Sequence, residues 1–357
     1  MRTILITGIL GQDGANMAEY LLEDPHNKVY GMMRRCSVPN FINTRNFKDH
    51  PRFEFVYGDL TDDVSIDGLV KKIQPNYFIN FAANSFVGCS WDMPEQVMDV
   101  NTLGVLRCLE AIRKFQPTCK FYSAGSSEEF GDVDYSPQDI THPIKPRSPY
   151  GVSKAAARHL VKVYRESYNM YAVHGILFNH EGTKRGEEFV TRKITKGVAK
   201  IKEHLDTKMS IEFPPTIELG NIYAKRDWSD SEDFVRGVWL MLNQDAPKDY
   251  VLSSGETHSI KEFIVKAFKY AGISGCWSEQ EGRPLSTKFT LNHSMAHTLV
   301  SINKDFYRPA EVDLLQGDSS PIRKELGWSP EVSFDSLVKK MVEYDIGLLR
   351  SETKKNK

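Results

Sequence analysis

Two kinds of stretch alternate along the chain. Short β-branched, apolar runs (TILIT, KVYGMM, FEFVYG, YFINFAA, KFYSAGS and AVHGILF) read as strands. Longer stretches that start near Asn16, Asp62, Pro94, Gly151 and Glu187 repeat their apolar residues at helical period. Strands that each lead into a helix predict an α/β fold, a Rossmann-like doubly wound parallel sheet with helices on both faces. Ligands of such a sheet bind where the strand carboxyl ends open, so those ends are where chemistry is to be sought. The pattern places this domain at 1–178, with returns near 217–246 and 299–316, and a smaller C-terminal lobe mainly over 179–350. Within that lobe, Gly275 to Ser301 has weak periodicity and reads as loop-rich, and the polar tail over 351–357 is expected to fray.

Composition narrows the partners. Of 357 residues, 40% are hydrophobic and 26% charged, an ordinary globular balance. The net charge of −1 points to neither nucleic acid nor an anionic membrane surface. No signal peptide is visible and no apolar stretch is long enough to span a bilayer. The five cysteines are odd in number and form no Cys-x-x-Cys pair, which predicts free thiols in a reducing compartment, the cytoplasm. His293 and His297 stand at i, i+4 but lack a third ligand at metal-binding spacing, so no metal is expected.

The first strand runs into TGILGQDGAN and then a helix. Gly8, Gly11 and Gly14, with Gln12 and Asp13 between them, would present backbone N–H groups at a helix N-terminus, a seat for pyrophosphate. At the end of the second strand, where an acidic residue would favour NAD, the chain has Arg34 and Arg35. Two guanidiniums suit a 2′-phosphate, so the expected cofactor is NADP. Asp59 and Leu60 end the third strand, where adenine would lie, and Ala82, Ala83 and Ser85 follow the fourth.

SPYGVSKAAARH sets Tyr150 and Lys154 at i, i+4, on one helical face. An ammonium beside a phenol favours the phenolate, which can take a proton from a hydroxyl while hydride leaves the same carbon. Upstream, FYSAGSSEEFG ends a strand with Ser126, Ser127, Glu128 and Glu129. A serine there can donate to the reacting oxygen. A carboxylate beside it is a second acid–base group for which simple alcohol oxidation has no need. If the run continues as strand, Glu128 and Glu129 point to opposite faces.

Together these residues make the chain resemble the extended short-chain dehydrogenase/reductases, and among them the GDP-mannose 4,6-dehydratase family. The resemblance also runs through SFVGCSW, GILFNHEGTKRGEEFVTRKIT, LGNIYAKRDW, FYRPAEVDLLQGD and LGWSP. It implies a hydro-lyase that dehydrates GDP-mannose by internal hydride transfer through bound NADP, assembled as a homodimer or homotetramer. Ser126, Glu128, Tyr150 and Lys154 match its catalytic set, and Tyr150, Lys154, His180 and Arg185 its cofactor contacts. Asn179, Lys193, Arg226, Arg308 and Glu311 match residues around the GDP-sugar, to which Ser85, Ser126 and Glu128 would also turn. The family usually has Ser-Thr-Ser-Glu where this chain has Gly125-Ser126-Ser127-Glu128, and an apolar or aromatic residue at the place of Glu129. Related readings are dehydration of another GDP-sugar such as a GDP-mannoheptose, a sugar-nucleotide epimerase or reductase, or a catalytically silent NADP-binding scaffold. Glu128 disfavours the epimerase or reductase, and Tyr150, Lys154 and Glu128 together disfavour the scaffold.

Overall fold

A computed structural model of the chain describes residues 1–207, 214–280, 282–292, 294–307, 312 and 314–355. The chain forms two units: Met1–His180, Ser229–Glu256 and Leu315–Glu331 make the first, and Glu181–Trp228, Thr257–Leu314 and Val332–Lys357 the second. The first unit holds strands β1 (Arg2–Thr7), β2 (Asn27–Met33), β3 (Phe53–Tyr57), β4 (Tyr77–Asn80), β5 (Lys120–Ala124) and β6 (Ala172–Leu177). With the strand Tyr250–Leu252 they form one seven-stranded sheet, ordered Tyr250–Leu252, β6, β5, β4, β1, β2, β3. Every pairing in it is parallel.

The order reverses after β3, where the chain crosses from the β2 side of β1 to β4, and the crevice lies at that switch. The central strands are apolar on both faces because helices cover both. Ile4 and Ile6 pack with Ala15, Met17 and Leu21 of α1 (Gln12–Leu22). Leu5 and Phe78 pack with Ile66 and Val70 of α2 (Asp63–Ile73). Helix α2 starts where the Asp62 carboxylate accepts from Val64 N–H and stops at Gln74, in the left-handed region at φ 49°. Helix α3 (Pro94–Met98) passes through a π-turn at Asp99–Leu103 into α4 (Gly104–Phe115). The long helix α5 (Pro149–Tyr168) opens with Pro149 in its first turn and the Ser148 hydroxyl accepting from Gly151 N–H, at 3.0 Å.

The second unit has its own core, in which α6 (Val190–Thr207) contributes Ile194, Val198 and Ile201, packed with Phe263, Phe289, Leu299 and Leu337. The stretch expected to be loop-rich is a sheet: strands Gly275–Ser278, Lys288–Leu291, Ser294–Ile302 and Ile217–Leu219 pair in that order. Two register shifts near Thr290 break the alternation that would have announced them. The same strands explain why the chain returns to the first unit at 229 and 315 rather than near 217 and 299: residues 217–219 and 294–302 are spent on the second sheet. Of the tail expected to fray, residues 351–355 continue the helix Phe334–Lys355, and the last two lie outside the described residues.

Candidate active site

The glycine loop is shaped by what its residues lack. Gly8 sits at φ +69°, and a Cβ on Gly14 would lie 2.4 Å from the Gly8 carbonyl oxygen. Gly11 N–H donates to that same oxygen at 2.9 Å. The first turn of α1 thus lies against the end of β1, with backbone amides at its N-terminus, and the loop fits a pyrophosphate. Gln12 Nε2 donates to Asp13 and to the His180 carbonyl, both at 3.1 Å. His180 closes the arrangement, with Nε2 2.9 Å from Asp13 Oδ2 and Nδ1 2.7 Å from the Phe178 carbonyl.

Arg34 and Arg35 follow β2 directly and are exposed. They stand where the 2′-position of an adenosine ribose is expected in such a sheet, and two exposed guanidiniums fit a phosphate there. Asp59 Oδ1 accepts from Thr61 N–H and hydroxyl at 3.0 and 2.9 Å, in the turn that leads into α2. The Leu60 side chain is buried in the core beneath α2, and its carbonyl accepts from Arg107. Ala82 and Ala83 are half-buried, with Ala82 N–H on the Thr7 hydroxyl, while Ser85 is exposed.

Strand β5 ends at Ala124, and Ser127–Glu129 form one turn of 3-10 helix rather than more strand. Strand alternation therefore does not govern the two glutamates. Glu128 is half-buried, whereas Glu129 is fully buried. The turn is held by a reciprocal cap: Ser126 Oγ accepts from Glu128 N–H at 3.3 Å, and Glu129 Oε1 accepts from Ser126 N–H at 2.8 Å. Accepting that bond leaves the Ser126 hydroxyl hydrogen available to a reacting oxygen. The Glu128 carbonyl lies against Gly151, so the turn and the first turn of α5 are in contact.

Tyr150 and Lys154 are both buried, on that first stretch of α5. Lys154 Nζ donates to the Ala124 carbonyl at 2.7 Å and lies 5.8 Å from the Tyr150 ring centre. Burial lowers the Lys154 pKa to about 8, against the opposing pull of Glu129 and Asp13. The four expected catalytic residues thus lie on the turn after β5 and on the first two turns of α5, which meets it at Gly151.

One organising residue escaped the sequence reading. Asn101, buried in the π-turn, accepts from Asn84 N–H at 2.8 Å and donates to the Ser153 hydroxyl at 3.0 Å. It ties the loop after β4 to α5. Its only signal was an amide within a helical stretch, and amides there are common.

Asn179 is half-buried in the first unit. The remaining expected residues belong to the second unit. Arg185 pairs with Glu181 at 3.0 Å and stacks over Phe189 at 3.5 Å. Arg226 is buried and donates to the Lys225 carbonyl. Lys193 lies 3.8 Å from the Phe306 ring centre, its pKa lowered by burial against the opposing charge of Glu218. It lines a cleft of ≈ 270 Å³ with Arg192, Lys196, Lys200, Glu187 and Glu218. Arg308, Glu311 and His293 lie outside the described residues. Among the described residues no group of three or more His, Cys, Asp or Glu side chains could hold a metal ion, and no helix is long and apolar enough to cross a membrane.

Comparison with known proteins follows the same lines. A solved dTDP-glucose 4,6-dehydratase from Bacillus anthracis, in complex with NAD, superimposes with a TM-score of 0.76 at 18% identity, covering 96% of each chain. A UDP-glucuronic acid 4-epimerase from Bacillus cereus gives 0.79 at 20% identity, covering 97% of this chain and 99% of the other. RMD from Pseudomonas aeruginosa, complexed with NADPH, gives 0.75 at 20% identity, covering 98% of this chain and all of the other. These likenesses show the fold, a doubly wound parallel sheet flanked by helices, shared over nearly the whole chain. In sequence, the chain is 41% identical to GDP-mannose 4,6 dehydratases of Drosophila melanogaster and Homo sapiens, over 98% and 97% of its length and 87% and 92% of theirs. It is 40% identical to the Vibrio cholerae GDP-mannose 4,6-dehydratase, over 97% of its length and 94% of the relative's. The family model described as GDP-mannose 4,6 dehydratase matches residues 5–341, and the chain belongs to that family.

Proposed function

We infer that the chain converts GDP-mannose to GDP-4-keto-6-deoxymannose, a lyase reaction that releases one water. The observation that carries this reading is Glu128 itself, half-buried on the turn of Ser126, with its backbone carbonyl against the turn of α5 that bears Tyr150. Oxidation of an alcohol needs a serine, a tyrosine and a lysine; a carboxylate in addition is what an elimination needs.

When bound, NADP would supply reversible hydride transfer, which lets the cycle run without an outside reductant. The glycine loop would hold its pyrophosphate, and Arg34 and Arg35 its 2′-phosphate. Tyr150 takes the proton of the 4-hydroxyl, its phenolate favoured by the Lys154 ammonium. Ser126 donates its hydroxyl hydrogen to oxygen 4 and holds it as the ketone forms. The ketone acidifies the hydrogen on carbon 5, and Glu128 removes it. The carboxyl so formed gives its proton to the departing 6-hydroxyl, which leaves as water; carbon 5 then regains a proton as the methyl group forms at carbon 6, in net the one Tyr150 took from the 4-hydroxyl. Lys193 and Arg226, with Arg308, neutralise the diphosphate of the sugar nucleotide.

The working assembly is a homodimer or homotetramer in the cytoplasm. Val38, Phe41 and Ile42, exposed just beyond Arg35, are the surface for a contact between dimers, and the five free cysteines suit a reducing compartment. Incubation of the purified protein with GDP-mannose and NADP, followed by product mass, tests the reaction. The expected product is lighter than the substrate by one water, with no net NADPH. Recovery of unchanged mass, or stoichiometric NADPH, would overturn it.

A further inference from the structure

The mechanism above leaves one carboxylate unused. Glu129 is fully buried directly behind Ser126. Its Oε1 accepts from Ser126 N–H at 2.8 Å and faces His174 Nε2, on β6, at 2.9 Å. A carboxylate only accepts, so Nε2 carries the hydrogen. Its Oε2 faces Arg158 Nη1, on α5, at 4.0 Å, while Arg158 Nη2 donates to the Ile140 carbonyl at 2.7 Å. The residue before Ser126 fits this arrangement: a Cβ on Gly125 would stand 2.2 Å from His174 Nε2 and 2.7 Å from Glu129 Oε1. The absent side chain at Gly125 makes room for the carboxylate–imidazole pair.

Burial pushes the Glu129 carboxyl up, but His174, Arg158 and the Ser126 N–H outweigh it and hold it below the ordinary carboxylate range. Glu129 is therefore ionised at neutral pH. Replacing a buried ion pair by packed apolar side chains often costs a fold nothing, so stability alone does not account for a charge here. Two contacts do. Glu129 bonds the backbone of the serine that is to hold the reacting oxygen. Its charge also favours the ammonium of Lys154, whose Nζ is fixed on the carbonyl of Ala124, two residues before Ser126.

We propose that Glu129 is a positioning residue: held by His174 and Arg158, its carboxylate fixes the Ser126 backbone from behind and balances the buried positive charge of Lys154. The assignment rests on the dehydratase reading only for the name of the reaction. The ionisable groups that face the pair come from four elements: Asp13 from α1, Tyr122 from β5, Tyr150 and Arg158 from α5, and His174 from β6.

Glu129→Gln keeps an acceptor for Ser126 N–H and removes the charge. In the NADP-loaded protein, the Lys154 titration, followed by nitrogen NMR, should move to lower pH by roughly half a unit or more. With GDP-mannose, kcat should fall roughly tenfold or more while KM and melting temperature stay near wild type. Glu129→Asp, shorter but charged, should restore the Lys154 titration and leave kcat low, because the bond to Ser126 is lost. His174→Asn should move both readouts the same way by less, and it decides the matter should Glu129→Gln not fold. An unmoved Lys154 titration in these variants overturns the proposal, and so does a kcat loss that only follows a fall in melting temperature. A wild-type protein that leaves GDP-mannose unchanged defeats the dehydratase reading instead, and the lysine titration still decides the role of Glu129.

Discussion

The glycine loop after β1 and the Ser126–Glu129 turn after β5 both sit at strand carboxyl ends of one sheet, and they are built by opposite means. The first is shaped by missing atoms: Gly14 rests on the Gly8 carbonyl because neither carries a side chain. The second is shaped by side chains that hold backbone, Ser126 on Glu128 N–H and Glu129 on Ser126 N–H. The first region should therefore fail when atoms are added, and the second when charges or donors are removed at constant size. On the proposed reading the glycine loop binds cofactor and takes no part in acid–base chemistry, so its failure should appear in cofactor affinity. On the same reading the turn and α5 handle protons, so theirs should appear in rate.

The largest effect expected is at Tyr150. Tyr150→Phe removes a hydroxyl from a buried ring without changing its volume much, so cofactor binding should survive. Loss of the group that accepts the first proton should lower product formation by roughly a hundred- to ten-thousandfold. The check is product mass over time together with NADP titration; a variant that fails to bind NADP would erase the division between the two regions.

Gly14→Ala probes the other side of the comparison. The added methyl meets backbone atoms, not a flexible side chain, so α1 has to move from β1. We expect a loss of about 1–3 kcal/mol in stability, with weakened NADP binding, read by thermal melting with and without cofactor. Activity at saturating NADP should fall far less than in Tyr150→Phe.

A smaller and more selective change is expected from Arg35→Asp. Charge-assisted bonds to a 2′-phosphate are worth about 1.5–3 kcal/mol, and NAD offers no such phosphate. Calorimetry should show NADP binding weakened by that amount and NAD binding changed little. Equal loss for both cofactors would remove Arg35 from the 2′-position.

What the sequence disclosed follows the same physical division. The strands and helices of the first unit were visible because their apolar residues repeat at a fixed period, and the glycines because their spacing stands between a strand and a helix. Tyr250–Leu252 was not visible, since three residues carry no period. The sheet around Lys288–Leu291 was hidden by its register shifts, and those strands also displaced the expected returns to the first unit. The sequence and its family resemblance grouped Ser126, Glu128, Tyr150 and Lys154, and the structure brings them onto neighbouring turns, but the orientation of Glu129 was not legible. Read as strand, the two glutamates would oppose each other across a sheet; the 3-10 turn instead sends Glu129 under Ser126. Asn101 was invisible because its task, joining Asn84 to Ser153, exists only in three dimensions. Of the residues matched to the GDP-sugar, Arg308 and Glu311 lie outside the described residues.

The central claim is that Glu128 eliminates water after Tyr150 has taken its proton. It is tested most directly in Glu128→Gln, which keeps size and hydrogen bonding and removes the base. A single turnover with GDP-mannose and stoichiometric enzyme-bound NADP should be quenched at intervals and the sugar nucleotide weighed. The account predicts that water loss slows by roughly a hundredfold or more while oxidation continues, so a 4-keto sugar still bearing its 6-hydroxyl accumulates beside reduced cofactor. Water lost at the wild-type rate would contradict it.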